Sequence, residues 1–179
     1  MRNFRQIAHS IDVAPVLSAL SRHPELWDQN TLRTMHPGTA HAQVSDIWLH
    51  FNATDNPAAV IDDRDVMPYP AWHVLPQIRP VVFGLMRLVD GVRLGRTLIT
   101  RLPPGKVITP HVDGGAPATY YERYHVALQS LPGALFHAGD ETVNMTTGEA
   151  WWFDNTALHS VENGSADDRI VLICDIRSE

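Results

Sequence analysis

From residue 96 to the end of the chain, short apolar stretches alternate with turn-forming clusters, and this texture constrains the fold more than any other feature. The stretches predict strands over 96–102, 107–113, 123–129, 134–137, 149–153, 159–162 and 169–176. Between them lie Pro103-Pro104-Gly105, Gly114-Gly115, Leu131-Pro132-Gly133, Thr146-Thr147-Gly148 and Asn163-Gly164, residue types that set or tolerate the backbone angles of a reversal. Regularly spaced short strands with such turns build a sandwich or barrel. Upstream the texture differs. A helix is expected over 13–21, with Asp12 as N-cap, Pro15 in its first turn and His23-Pro24 closing it. A second is expected from about Pro80 to Val89, where Ile78, Val81, Val82, Leu85, Leu88 and Val89 keep helical spacing until Gly91 and Gly95 break it. Residues 44–51 read as a strand, and 52–70 as a long surface loop able to cover a site. The architecture expected is mainly β, an antiparallel jelly roll with N-terminal helices packed outside.

Composition narrows the function classes. At 179 residues the chain suits one domain with a substantial core, and 44% hydrophobic against 19% charged residues indicates a globular fold. A net charge of −6 argues against a general nucleic-acid binder. The only cysteine, Cys174, lies in the apolar run 170–174 and reads as a buried, inert thiol. No disulfide framework can form within the chain, which suits a reducing cytosol. Residues 1–20 mix charges with apolar groups, unlike a signal peptide, and no run approaches the roughly 18 apolar residues of a membrane span. The expectation is a cytoplasmic protein without membrane or nucleic-acid partners.

The chemistry-bearing pattern is His111-Val112-Asp113 with a second histidine, His159, far downstream. Two histidines and one carboxylate form a three-ligand set that suits Fe(II) and leaves coordination positions free. In extended backbone, residues i and i+2 point to one side, so His111 and Asp113 could chelate one ion. An H-x-D tripeptide alone is weak evidence in a chain with ten histidines and twenty acids. The surrounding order strengthens it. Thr100-Arg101-Leu102-Pro103-Pro104-Gly105 leads into Pro110-His111, and Arg123-Tyr124-His125-Val126-Ala127-Leu128 follows on a strand. Gly148-Glu149-Ala150-Trp151-Trp152-Phe153-Asp154-Asn155 then runs on to His159, with Arg169 ten residues beyond.

This series resembles the aspartyl/asparaginyl β-hydroxylase family of Fe(II)- and 2-oxoglutarate-dependent dioxygenases, over residues from about 97 to 177. The resemblance implies a double-stranded β-helix, the cupin-like form of the jelly roll. It implies a single domain, 1–179, with 1–96 as a helical and loop part on the substrate side and 97–179 as the metal-binding core. It also implies that His111, Asp113 and His159 hold Fe(II), and that Arg169 binds the distal carboxylate of 2-oxoglutarate. Thr100, Arg123 and His125 match positions that help hold this co-substrate, and dioxygen is the second co-substrate. Some animal members have glycine in place of Asp113; this chain keeps the acid. An arginine fork suits a carboxylate better than lysine does.

Other roles stay open for several residues. Arg123 could form an ion pair with Glu122 or Asp140, His125 could be a core histidine, and Asp154 and Asn155 read as turn residues or partners that orient a ligand. The substrate expected is an amino acid, free or as a side chain in a peptide or protein. Trp48, His50, Asn52, residues 54–72 and Arg101 are the candidates for its pocket. Two other classes stay open: a cupin-type metalloenzyme that does not use 2-oxoglutarate, and a noncatalytic jelly-roll binding module. A structural metal site would be coordinatively closed, whereas three protein ligands leave this one open, which favours catalysis.

Overall fold

In the computed structural model, described for residues 1–56 and 60–179, two antiparallel sheets face one another and helices cover the outer side of the larger. The N-terminal part comprises β1 (Phe4–Ala8), α1 (Ala14–Arg22), α2 (Leu32–Met35), β2 (Ser45–Phe51), β3 (Met67–Pro68), α3 (Pro70–Val74) and α4 (Arg79–Leu88). Then come β4 (Gly91–Leu102), β5 (Val107–His111), α5 (Gly115–Tyr120), β6 (Glu122–Gln129), β7 (Ala134–Ala138), β8 (Glu141–Val143), β9 (Ala150–Phe153), β10 (His159–Asn163) and β11 (Arg169–Ser178). The seven-stranded sheet runs β1-β9-β6-β11-β4-β2-β3 and the four-stranded sheet β5-β10-β7-β8. This is the jelly roll that the turn spacing predicted.

Each expected strand after residue 96 is present, with shifted ends. β4 begins at Gly91, because 91–94 pair with the far end of β11: Ser178 opposite Gly91, Arg177 opposite Arg93, Ile176 opposite Leu94. Gly91 breaks the helical pattern, and it also leaves room for the Ile176 side chain: a Cβ there would meet Ile176 Cγ2 at 2.6 Å. β5 stops at His111, so Asp113 lies beyond the strand end. Helix α1 starts one residue later than expected, with Val13 at the N-cap; the Asp12 carboxylate still accepts the Ala14 N–H at 3.2 Å. Strand β1 was not expected. It pairs with β9 and joins β2 and β3 in the large sheet, so that sheet draws strands from both parts of the chain. Residues 57–59 of the expected long loop lie outside the described residues, and β3 interrupts the remainder.

Strand alternation sorts the core. Ile47, Leu49, Ile99, Tyr124, Val126, Leu128, Leu172 and Cys174 face α1, α3 and α4, where they pack with Val16, Leu20, Trp72, Val82 and Leu85. Burying such a side chain stabilises by roughly 1.5–3 kcal/mol. Cys174 is a free, fully buried thiol whose pKa burial pushes up, in keeping with an inert core residue. The other face of the same strands looks between the sheets. There Phe4, Leu102, Ala127, Phe136, Phe153 and Val161 form a second cluster. Beside that cluster, on the same face, the sheet carries its polar groups.

Candidate metal centre

His111 and His159 stand directly opposite one another on paired strands β5 and β10, with ring centroids 4.2 Å apart. His111 Nδ1 lies 2.8 Å from the Thr109 carbonyl and His159 Nδ1 2.9 Å from the Ala157 carbonyl. A carbonyl can only accept, so each ring donates from Nδ1 and turns its Nε2 toward the centre. Both Nε2 atoms converge on Asp113, at 3.8 Å from Oδ1 for His111 and 3.9 Å from Oδ2 for His159. These gaps are too long for hydrogen bonds. They suit an ion seated between the three groups, whose ligand atoms all lie within 4.8 Å of one another. Burial pulls the His159 pKa down, keeping the ring neutral, as a metal ligand must be. Burial opposes the charge of Asp113, but Arg123, His159 and His111 outweigh it and hold its carboxyl below the usual range.

Arg123 is the group that fixes Asp113. Its Nη1 donates to Asp113 Oδ2 at 2.7 Å, while Nε and Nη2 donate to the two oxygens of Asp175 at 2.7 and 2.9 Å. Its ion-pair partners are therefore Asp113 and Asp175, not the Glu122 or Asp140 considered from sequence. Asp175 follows Arg169, Val171 and Ile173 on the inward side of β11, so counting by two along that strand could have found it. The Asp113 N–H also donates to the Asn155 carbonyl at 3.2 Å, tying the carboxylate to the segment before His159. Asp154 is a turn residue: its carboxylate accepts the Thr156 N–H and hydroxyl.

Arg169, His125 and Thr100 line a narrow cavity together with His111 and His159. Arg169 opens β11 and is 3% exposed, yet its Nη2 has no hydrogen-bond partner among the described residues. Burial alone pushes its guanidinium down to about 10. His125 Nδ1 is likewise buried without a partner, and burial, then Arg169, hold its pKa well below the ordinary value. Buried polar atoms are nearly always satisfied, so two orphans facing one cavity mark a place for a polar ligand. A buried cation calls for an anion, and a 2-oxo dicarboxylate reaching from the metal fits this donor set. Thr100 donates to Asp46 at 2.7 Å, and Asp46 is held by Arg33 at 2.7 and 3.0 Å.

A larger cavity, about 530 Å³, adjoins the centre and shares Arg33, His41, Arg123 and Ile173 with the narrow one. Sequence reasoning missed Arg33, His41 and Arg96, which line it. Arg96 shares the inward phase of Leu98 and Thr100, a signal that was available. Arg33 lies in the four-residue helix α2 and His41 in the irregular segment after it, both too short to show a periodicity, and only folding brings them here. Of the residues expected in a substrate pocket, Asn52 binds Arg96. Trp48 is buried in the core, and His50 packs against Trp72 at 4.4 Å. Arg101 turns away, with its guanidinium 4.4 Å over the Trp27 ring.

Residues 58–179 match the family model for aspartyl/asparaginyl β-hydroxylase. The chain belongs to the aspartyl/asparaginyl β-hydroxylase family. As a member it is a 2-oxoglutarate-dependent oxygenase that uses iron. No curated protein matches the sequence. The fold is shared with an oxidoreductase of the 2OG-Fe(II) oxygenase family from Burkholderia pseudomallei, at 12% identity over 98% of this chain and 85% of that one, TM-score 0.64. It is also shared with a Pseudomonas putida prolyl-4-hydroxylase, at 14% identity over 100% and 94%, TM-score 0.55. The viral collagen prolyl hydroxylase of Paramecium bursaria Chlorella virus-1, in its 2OG complex, is similar at 12% identity over 99% and 97%, TM-score 0.53. Among the described residues of this β-hydroxylase family member, no helix is long and apolar enough to cross a membrane.

Proposed function

We propose that this protein hydroxylates an amino acid or an amino-acid side chain, with His111, Asp113 and His159 holding Fe(II) and Arg169 and His125 holding 2-oxoglutarate. The observation that carries the assignment is the orphaned Arg169 guanidinium, buried beside the triad with no carboxylate of its own among the described residues. When bound, iron with 2-oxoglutarate and dioxygen supplies the oxidising power for inserting oxygen into a C–H bond. The chain's own residues do the rest. His111 and His159 present their Nε2 atoms to the ion, aimed by the Thr109 and Ala157 carbonyls. Asp113 stays ionised under Arg123, and Asp175 keeps that arginine from swinging away. Arg169 pairs the distal carboxylate of the co-substrate, and the apolar rings of Phe136 and Phe153 keep water from it. Arg123 thus acts on Asp113 rather than on 2-oxoglutarate, and Thr100 contributes through Asp46 and Arg33.

The test is an anaerobic titration with Fe(II) and 2-oxoglutarate, followed by oxygen and a succinate assay with candidate amino acids. A weak visible charge-transfer band is expected on 2-oxoglutarate binding and is absent in His111→Ala. Protein that binds Fe(II) yet gives neither band nor succinate would overturn the reading.

A further inference from the structure

Arg96 is a second cation at the site, half-buried and without a carboxylate partner among the described residues. Its Nε donates to Asn52 Oδ1 at 2.7 Å and its Nη2 to the Val60 carbonyl at 2.8 Å, with the guanidinium carbon 4.7 Å over the Phe51 ring. Asp175 and Asp113 act on it only through their field, and among the described residues no carboxylate forms an ion pair with it. The undescribed residues, Pro57, Ala58 and Ala59, have no ionisable side chain to offer. Burial first, then the charge of Arg123, pull its pKa down. Arg96 faces the cavity of about 530 Å³, within the size range of small-molecule sites. The other charged groups there are committed: Arg33 to Asp46, and Arg123 to Asp113 and Asp175. Among the described residues Asp113 is the one carboxylate lining that cavity, and it is paired with Arg123, so none is free to neutralise an ammonium. The remaining walls are mostly apolar, including Leu32, Phe51, Ile61, Leu98 and Ile173.

We propose that this cavity is the substrate site and that it takes a small organic monoanion, its carboxylate on Arg96 and an apolar body without a free ammonium group against Phe51, Leu98 and Ile173. An amino acid with a blocked amino group and an apolar side chain has that chemistry; aspartate and a free cationic amine do not. The oxidation of such a molecule rests on the oxygenase reading above, but its binding does not.

Calorimetric titration of N-acetyl-L-leucine (monoanion), N-acetyl-L-leucinamide (neutral), L-leucinamide (cation) and N-acetyl-L-aspartate (dianion) tests this. It is run on protein saturated anaerobically with Fe(II) and 2-oxoglutarate, and again without metal. N-acetyl-L-leucine is expected to bind about tenfold or more tighter than the other three, the scale of one buried charge pair. Arg96→Gln should lose about tenfold or more for that probe and leave the neutral amide within about twofold. Leu98→Trp, which fills the cavity and leaves Arg96 in place, should abolish binding of the monoanion. The proposal is overturned by Arg96→Gln or Leu98→Trp binding N-acetyl-L-leucine like wild type, by a preference for the cation or dianion, or by no probe binding wild type. Heat reports binding without turnover, so a missing charge-transfer band in wild type sinks the oxygenase reading separately.

Discussion

Two orphaned groups, Arg169 and His125, distinguish this centre from a structural metal site, and each makes a prediction. A buried unpaired cation costs free energy. Arg169→Leu should therefore leave the urea midpoint of ligand-free protein unchanged or raised, while weakening 2-oxoglutarate by about a hundredfold, the loss of one buried charge-assisted pair. An unchanged 2-oxoglutarate constant would remove the assignment. For His125, the sign follows from its lowered pKa. The unfolded chain takes up a proton on this histidine near pH 6.5 and the folded chain does not. Stability from this group is full above about pH 6.5 and falls as the pH drops, by at most about 1.4 kcal/mol per pH unit. In metal-free protein, His125→Leu should flatten the pH dependence of unfolding free energy between about pH 6.5 and 5 by up to one proton. The wild-type slope in that variant would contradict the argument. At this scale the sequence was informative wherever a residue had a partner at fixed spacing: His111 with Asp113, and His159 with Arg169. Arg33 and Asp46 gave no such sign, because their pairing exists only once α2 lies against β2.

Among the elements, the short connection from β5 into α5 sets the metal centre, since it carries Asp113 and then turns the chain at Gly114-Gly115. Gly115 has φ +82, and a Cβ there would meet the Ile61 carbonyl oxygen at 2.1 Å. Gly114 has extended backbone and open space around it. Gly115→Ala should destabilise by about 2 kcal/mol or more, through left-handed strain and a clash with backbone. Because the shifted segment carries Asp113, it should also weaken Fe(II). Gly114→Ala should be near neutral in both measurements; equal effects of the two would show that the turn is not constrained as described. Period-two alternation was the strongest element-scale signal, and it orders the interior correctly: Arg96, Leu98 and Thr100 on β4; Arg123 and His125 on β6; Arg169, Ile173 and Asp175 on β11. Strand ends were less legible. β4 continues back to Gly91 because β11 is there to pair with, and no local property of 91–95 says so.

For the whole molecule, the large sheet is shared between the two parts of the chain. β1 covers the edge of β9, β2 covers β4, and the Asn3 amide donates to the Ala138 carbonyl of the smaller sheet at 2.9 Å. Residues 97–179 alone would expose the face of β6 and β11 that packs on α1, α3 and α4. That fragment is expected not to fold: it should show no cooperative urea transition and no slowly exchanging amides, whereas the full chain shows both. Independent folding would make the N-terminal part an accessory. The sequence by itself determined the antiparallel jelly roll, which rests on turn chemistry, and it singled out His111, Asp113 and His159, which the fold brings together as a candidate metal centre. Only the tertiary structure decided that Arg123 pairs with Asp113, that Arg169 has no partner among the described residues, and that Arg96 faces a cavity whose other charged groups are already paired. Those facts depend on which buried charges find each other across strands far apart in the chain, and burial is a property of the assembled fold.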